Sequence, residues 1–250
     1  MDIIIHGSTG RMGRAVRALA ERGYAGARVA ALVGPDSPEG AEEKCYTALE
    51  HYTGAAHCVV DFSHHTAAGT LLAYCRKRKL PVVIATTGQT GEELTLIREA
   101  AASIPVFFSA NMSLGIALLA DLAQRTAALF PDADIEIVEC HHNQKLDVPS
   151  GTALLLGRKI QAVRPEAGLV VGRREQGKRG KREIGVHSLR LGSEVGTHEI
   201  LIATGSETIT LKHRAEDRSL FAEGALTAAA FLQGKPAGLY TMEDIIKKEK

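Results

Sequence analysis

Residues 2–23 read DIIIHGSTGRMGRAVRALAERG. A short, continuously apolar β-rich run ends in a turn carrying Gly7, Gly10 and Gly13 at three-residue spacing, and the turn opens directly into a helical stretch. Glycines so placed let the backbone turn tightly and approach a pyrophosphate, while the helix N-terminus offers N–H groups and a partial positive charge. The spacing departs from GxGxxG. With Gly10 and Gly13 in the second and third places, Ser8 stands where the first glycine belongs and Gly7 is one residue early. The reading is a dinucleotide site at the start of an α/β fold, with a purely structural turn as the alternative.

The rest of the first half follows the same rhythm. RVAALV (28–33), CVVDF (58–62), VVIATT (82–87) and VFFSAN (106–111) read as strands, most of them apolar throughout, as strands covered on both faces are. HTAAGTLLAYCRKR and GEELTLIREAAA read as helices between them, the second announced by Thr90 and Glu93 as a capping box. Such alternation predicts a Rossmann-type, doubly wound parallel sheet. After Asn111 the pattern changes to a long helix from Ser113 to about Phe130, the strand DIEIVEC (134–140), and a helix from about Gly151. HSLRLG, THEILIAT and ETITLKHRA then read as strands joined by glycine-containing hairpin turns. The expectation is an α/β dinucleotide-binding domain over 1–111, completed by a returning helix within 220–250. A substrate-binding and oligomerisation domain of α+β type, with a mixed or antiparallel sheet, is expected over 112–219.

Composition narrows the partners. The 30 basic and 29 acidic residues among 250 nearly cancel, so bulk charge draws the chain to neither nucleic acid nor membrane. The stretch GRREQGKRGKRE (172–183) is strongly basic but has no interleaved aromatics to stack on bases, and reads as a solvated loop or a lid over an anionic ligand. Four cysteines without a CxxC pair suit reduced thiols. No run approaches the roughly 18 apolar residues of a membrane helix, and the chain enters its first strand directly after Met1. A cytoplasmic protein with a small-molecule partner is expected.

The second chemical signal is ECHHNQKLDVPSGTA at 139–153. Ser150 reads as an N-cap, and the N–H groups of Gly151 and Thr152 suit a carboxylate. Lys145 supplies the opposing charge, and His141 and His142 bring imidazoles beside this anion clamp, a combination suited to a small carboxylated substrate that needs a proton. Ordinary polar surface is one alternative. Zinc ligation by Cys140, His141 and His142 is another, disfavoured because adjacent side chains on an extended segment point apart.

GSTGRMG, ATTG (85–88), SANMS (109–113) and the 139–153 string together resemble the 4-hydroxy-tetrahydrodipicolinate reductase, or dihydrodipicolinate reductase, family of lysine biosynthesis, and GVHSLRLGSEVGTHEI, LKHRA and FAEGAL extend the likeness along nearly the whole chain. The resemblance implies reduction of a six-membered cyclic imine dicarboxylate, with NADH or NADPH as cofactor and a homotetrameric assembly. It places the pyrophosphate on Gly7, Ser8, Thr9, Gly10, Arg11 and Met12, and the nicotinamide on Ala85, Thr86, Thr87, Ser109, Ala110, Asn111 and Met112. His141 becomes the proton donor/acceptor and Lys145 the proton donor, with His142, Gly151 and Thr152 on the substrate carboxylates, and no metal. Two departures stand out: Ala85 replaces the glycine usual in ATTG, and Leu32-Val33-Gly34-Pro35-Asp36 lacks the usual acidic or basic readers of the adenosine ribose. They leave the choice between NADH and NADPH open.

Overall fold

A computed structural model describes residues 1–36, 44–174 and 176–247. Part of the connector after the second strand, Glu175 of the basic stretch, and residues 248–250 of the expected first domain lie outside the described residues. The chain divides into two compact units, Met1–Ser113 with Arg218–Lys250, and Leu114–Asp217.

The first unit runs β1 (Asp2–His6), α1 (Arg11–Glu21), β2 (Arg28–Val33), β3 (Cys45–Tyr46), β4 (Cys58–Asp61), α2 (Ala68–Arg78), β5 (Val82–Ile84), α3 (Gly91–Ala101) and β6 (Pro105–Phe108). The second unit contains α4 (Leu114–Leu129), β7 (Asp134–His141), α5 (Gly151–Gln161), β8 (Gly168–Val171), β9 (Glu183–Arg190), β10 (Gly196–Ala203) and β11 (Thr208–Ala215). The chain then completes the first unit with α6 (Ser219–Phe231), β12 (Gly238–Tyr240) and α7 (Met242–Lys247).

In the first unit the sheet order is β12-β6-β5-β4-β1-β2-β3, with every pairing parallel. Ile3, Ile4 and Ile5 are fully buried, as are Cys58, Val59 and Val60, which is why these strands carry no polar alternation. Each such Ile or Val contributes about 1.5–3 kcal/mol by burial. The strand order reverses direction about β1 and β4, and in open α/β sheets the crevice beyond the C-terminal ends of the strands at such a point is the usual place for a ligand. The capping box forms as expected: Glu93 N–H donates to Thr90 Oγ1 and Thr90 N–H donates to Glu93 Oε2. The returning helix α6 packs on α1. The strands β3 and β12, two and three residues long at the sheet's edges, were too short to leave a periodic signal.

The second unit is a five-stranded mixed sheet in the order β11-β10-β7-β9-β8. Here the sequence expectation needs correcting in one respect. HSLRLG and THEILIAT do not form a hairpin, because β7 lies between them, parallel to β9 and antiparallel to β10. Only β10 and β11 pair as a true hairpin. The reason is burial: every second residue of β7 from Ile135 on is buried, and its Ile135 and Ile137 must be covered from both sides by Ile184 and Val186 of β9 and Ile200 and Ile202 of β10. The helices α4 and α5 close over this face.

Two arginines of the basic stretch are held by ion pairs and hydrogen bonds. Arg179 bonds Glu136 and Asp134 and the carbonyls of Ile135 and Glu183, while Arg173 bonds Glu183.

Candidate active site

In the first unit, the ends of β1, β5 and β6 supply the groups the sequence singled out. After β1, Gly7 has φ +80°, and a Cβ there would lie 2.6 Å from the Phe62 backbone, so a side chain is excluded by both conformation and space. Gly13, one turn into α1, packs equally close against the Gly7 carbonyl and Ser8. Gly7 is therefore the glycine the turn requires, one position earlier than the motif places it. The N-cap of α1 is Gly10, with no side-chain cap and no acidic residue in the first turn, whereas Thr90 and Ser150 cap α3 and α5 with their hydroxyls. This glycine-lined, uncapped helix start fits a pyrophosphate. Ser8 is buried, Thr9 and Met12 half-buried, and Arg11 exposed.

Beyond β5, Ala85 and Thr86 are buried and Thr87 is exposed. Beyond β6, Ser109 Oγ donates to the Asn111 carbonyl, Asn111 Oδ1 accepts from Ser113 N–H, Met112 is buried and Ala110 is exposed. The carboxylate of Asp61, at the end of β4 and only 2% exposed, joins the segment beyond β5 to the ends of β1 and β4. It accepts from Thr86 Oγ1 (2.6 Å), Ser63 Oγ (2.6 Å) and Ser63 N–H (3.2 Å), and lies 2.8 Å from His6 Nδ1. The sequence reading passed over Asp61 and His6. The available signal was a charged residue closing the apolar run CVV in CVVDF.

In the second unit, the inward side of β7 reads Ile135, Ile137, Glu139, His141, so the hydrophobic phase of the strand ends in a carboxylate and an imidazole. Glu139 is completely buried and accepts four hydrogen bonds. Oε2 lies 2.5 Å from His141 Nδ1 and accepts from an Arg190 terminal nitrogen at 3.0 Å. Oε1 accepts from the other Arg190 terminal nitrogen at 3.0 Å and from Ser150 N–H at 3.1 Å. Burial alone would raise this carboxyl, but the bonds from His141, Arg190 and Ser150 outweigh it and hold it far below the ordinary glutamate range. Ser150 in turn caps α5, accepting from Ala153 N–H (3.1 Å), and its hydroxyl lies 3.1 Å from His198 Nε2.

His198, on the inward side of β10, sets its ring edge against His141 with centroids 5.2 Å apart. Burial, then the neighbouring His141, pushes the His198 imidazole down to about 4, so it is neutral at pH 7. Across from it, a Cβ on Gly196 would stand 3.0 Å from His141 Nε2, so glycine there lets the imidazole lie against the strand.

Around this core, Lys145 Nζ pairs with Asp147 Oδ1 at 2.7 Å. Although burial opposes it, Lys145 and the N–H groups of Asp147 and Gly151 hold the Asp147 carboxyl below its usual range. His142 and Thr152 are half-buried, and Gly151 is exposed at the first residue of α5, where a Cβ would touch nothing. His141, Lys145, Gly151 and Thr152 thus fall on one strand end, one connector and one helix start. Cys140 points to the opposite side of β7, and among the described residues no three His, Cys, Asp or Glu side chains are arranged to hold a metal ion. The sequence reading gave no role to Glu139, Asp147, Arg190 or His198.

A Rossmann-type sheet with a glycine turn, followed by an α+β unit bearing an imidazole–carboxylate pair beside a capped helix start, defines the class as a nicotinamide-dependent oxidoreductase. Comparison with known proteins supplies the family. Residues 1–112 match the family model "Dihydrodipicolinate reductase, N-terminus" and residues 115–246 the corresponding C-terminus. The chain is 45% identical to a 4-hydroxy-tetrahydrodipicolinate reductase of Caldanaerobacter subterraneus subsp. tengcongensis, covering 98% of each chain, and 42% identical to one of Clostridium tetani, covering 96% of this chain and 95% of that protein. Among solved structures it resembles dipicolinate-bound dihydrodipicolinate reductase from Paenisporosarcina sp. TG-14, with a TM-score of 0.78, 25% identity, and 98% and 99% of the two chains covered. The chain belongs to the dihydrodipicolinate reductase family.

Proposed function

We propose that the chain reduces 4-hydroxy-tetrahydrodipicolinate to tetrahydrodipicolinate with NADH or NADPH in the diaminopimelate route to lysine, using His141 and Lys145 for proton handling. The observation that carries this assignment of roles is the convergence of a buried Glu139–His141 pair, Lys145 and the N-terminus of α5 within one unit. When bound, the nicotinamide supplies the hydride. The overall change adds one hydride and one proton to the ring system and releases water from the 4-hydroxyl. His141 exchanges a proton at the ring nitrogen not engaged by Glu139, and Lys145 donates one from its ammonium. His142, the Gly151 N–H and Thr152 hold the substrate carboxylates, and the open space over Gly151 leaves the start of α5 accessible to them.

Gly7 to Met12 hold the pyrophosphate, and Ala85 to Thr87 and Ser109 to Met112 hold the nicotinamide, in a dinucleotide-binding domain spanning 1–111 and 220–250. The domain over 112–219 binds substrate and forms the oligomer. The half-exposed Leu189, with Val138 and Leu201 on the outward side of the second sheet, supports a homotetramer assembled through that face. A cytoplasmic location accords with a biosynthetic reductase, and among the described residues no helix is long and apolar enough to cross a membrane.

The test is a coupled assay. Aspartate semialdehyde, pyruvate and the preceding synthase generate the substrate, and oxidation of NADH and of NADPH is followed in parallel. Turnover with either supports the reading, and the ratio of the two kcat/KM values settles the cofactor preference. Absence of turnover with both would refute it. Light scattering at micromolar concentration tests the tetramer, which a monomeric mass would exclude.

A further inference from the structure

Glu139 stands out among the buried ionisable groups because every acceptor direction of its carboxylate is used. Two donors come from Arg190 on β9, one from His141 on its own strand and one from the backbone of Ser150 on the connector. Burying a charge without such pairing is costly, so the arrangement is a built one. Arg190 reaches further, donating to the carbonyl of Asp147 at 2.7 Å and so holding the connector that also carries Lys145.

We propose that Glu139, braced by Arg190, is a positioning residue that keeps His141 in the tautomer protonated at Nδ1 and ties it in register to the start of α5. The inference rests on the reading of His141 as the proton-transfer residue. An ionised carboxylate only accepts, so the hydrogen of the His141–Glu139 bond belongs to Nδ1. That leaves Nε2 as the atom that gains and loses the working proton. Through Ser150 the same carboxylate also fixes the cap of α5, whose first N–H groups are the anion clamp. One buried group therefore sets the distance between the proton and the substrate's acid groups. On the neighbouring strand β10, His198 meets the His141 ring in a T-shaped contact and Gly196 contributes no side chain.

The experiment is a pair of measurements on the full chain. In the wild-type protein, side-chain ¹⁵N correlation spectra, taken at the alkaline end of the active range and assigned with His141→Gln, report which ring nitrogen carries the proton. Nδ1–H is expected, and an Nε2–H tautomer would overturn the proposal. Glu139→Gln places a donor amide where the carboxylate was, favouring the opposite tautomer. Its kcat should fall on the order of 10² to 10⁴-fold, with a smaller change in substrate KM and unchanged NADH binding. If Glu139→Gln does not fold, the wild-type spectrum alone decides. His141→Gln run alongside separates the two claims. A depressed His141→Gln beside an undiminished Glu139→Gln overturns the role of Glu139 only, while an undiminished His141→Gln removes the reading on which that role rests.

Discussion

The two units each bury one carboxylate at the end of a sheet strand, and the two are built differently. Asp61, at the tip of β4, is surrounded by neutral hydroxyls from Thr86 and Ser63 and by the His6 ring, with no arginine or lysine bonded to it among the described residues. Glu139, near the tip of β7, is clamped by the bidentate guanidinium of Arg190 as well as by His141 and a backbone N–H. Asp61 organises backbone: through Thr86 it anchors the loop after β5, and through Ser63 the loop after β4. Glu139 organises a side chain, His141, whose protonation state changes in the mechanism proposed above. A loop that only cradles a ligand is held by neutral hydrogen bonds, whereas an imidazole that takes on charge needs a partner of fixed charge, and that partner's burial has to be offset by a second ion.

The contrast is testable, and the largest effects belong to the second unit. His141→Gln should lower kcat by about 10² to 10⁴-fold while leaving NADH affinity intact, because the sequence-assigned cofactor residues all lie in the first unit. Lys145→Ala should lower kcat comparably and raise KM as well. Steady-state kinetics with a fluorescence titration of NADH, unobstructed because the chain has no tryptophan, would show the split. If both variants keep near-wild-type kcat, the assignment of proton handling to this connector fails.

Next in size is stability. Glu139→Ala strands Arg190 in the interior and should cost about 3–5 kcal/mol. Asp61→Asn removes a charge but keeps a side chain that can bond hydroxyls, and should cost about 1–3 kcal/mol. Denaturant titrations of the two variants giving equal losses would break the comparison.

A pH titration of stability sharpens it further. His198 is held near 4 in the folded chain against about 6.5 when unfolded, so the unfolded chain binds its proton first as pH falls. The stability that neutral His198 provides is complete above about pH 6.5 and is lost on acidification toward 4, a change of about 3 kcal/mol. His198→Gln should flatten that part of the curve, and an unchanged slope would show that His198 is not the group responsible. Glu139, whose carboxyl is depressed, contributes in the same sense at lower pH: its stabilisation is present above about pH 4.3 and is withdrawn only at strongly acidic pH.

The smallest effect belongs to the clamp. Thr152→Val removes one hydrogen bond to a charged group, about 1.5–3 kcal/mol, and should raise KM roughly ten-fold to a hundred-fold with little change in kcat. A fall in kcat with constant KM would move Thr152 from binding to chemistry.

What the sequence determined by itself was whatever is encoded locally. Continuous apolar runs alternating with helical stretches specified a parallel sheet, since only strands covered on both faces lack polar alternation. Three glycines after the first strand specified the tight turn, although only the structure shows that Gly7, at φ +80° and pressed against the Phe62 backbone, is the one the turn's conformation requires, while Gly13 is required by its close approach to the Gly7 carbonyl. Thr90 and Glu93 specified a capped helix start, and the 139–153 string brought His141, Lys145 and the α5 start together because they are neighbours in the chain. Even the burial of Glu139 was legible, because it continues the inward phase of Ile135 and Ile137.

What the tertiary structure alone decided was which distant groups answer that buried charge. Arg190 comes from a strand 51 residues beyond Glu139, and His198, which meets Ser150 and the His141 ring, from the strand on the other side; both reach this cluster only because β7 inserts between β9 and β10 instead of leaving them as a hairpin. Strand order is set by which faces must be covered, a long-range balance of buried area that no local pattern records. The same holds for Asp61 and Thr86, 25 residues apart in sequence and joined only because β4 and β5 are neighbours in the sheet.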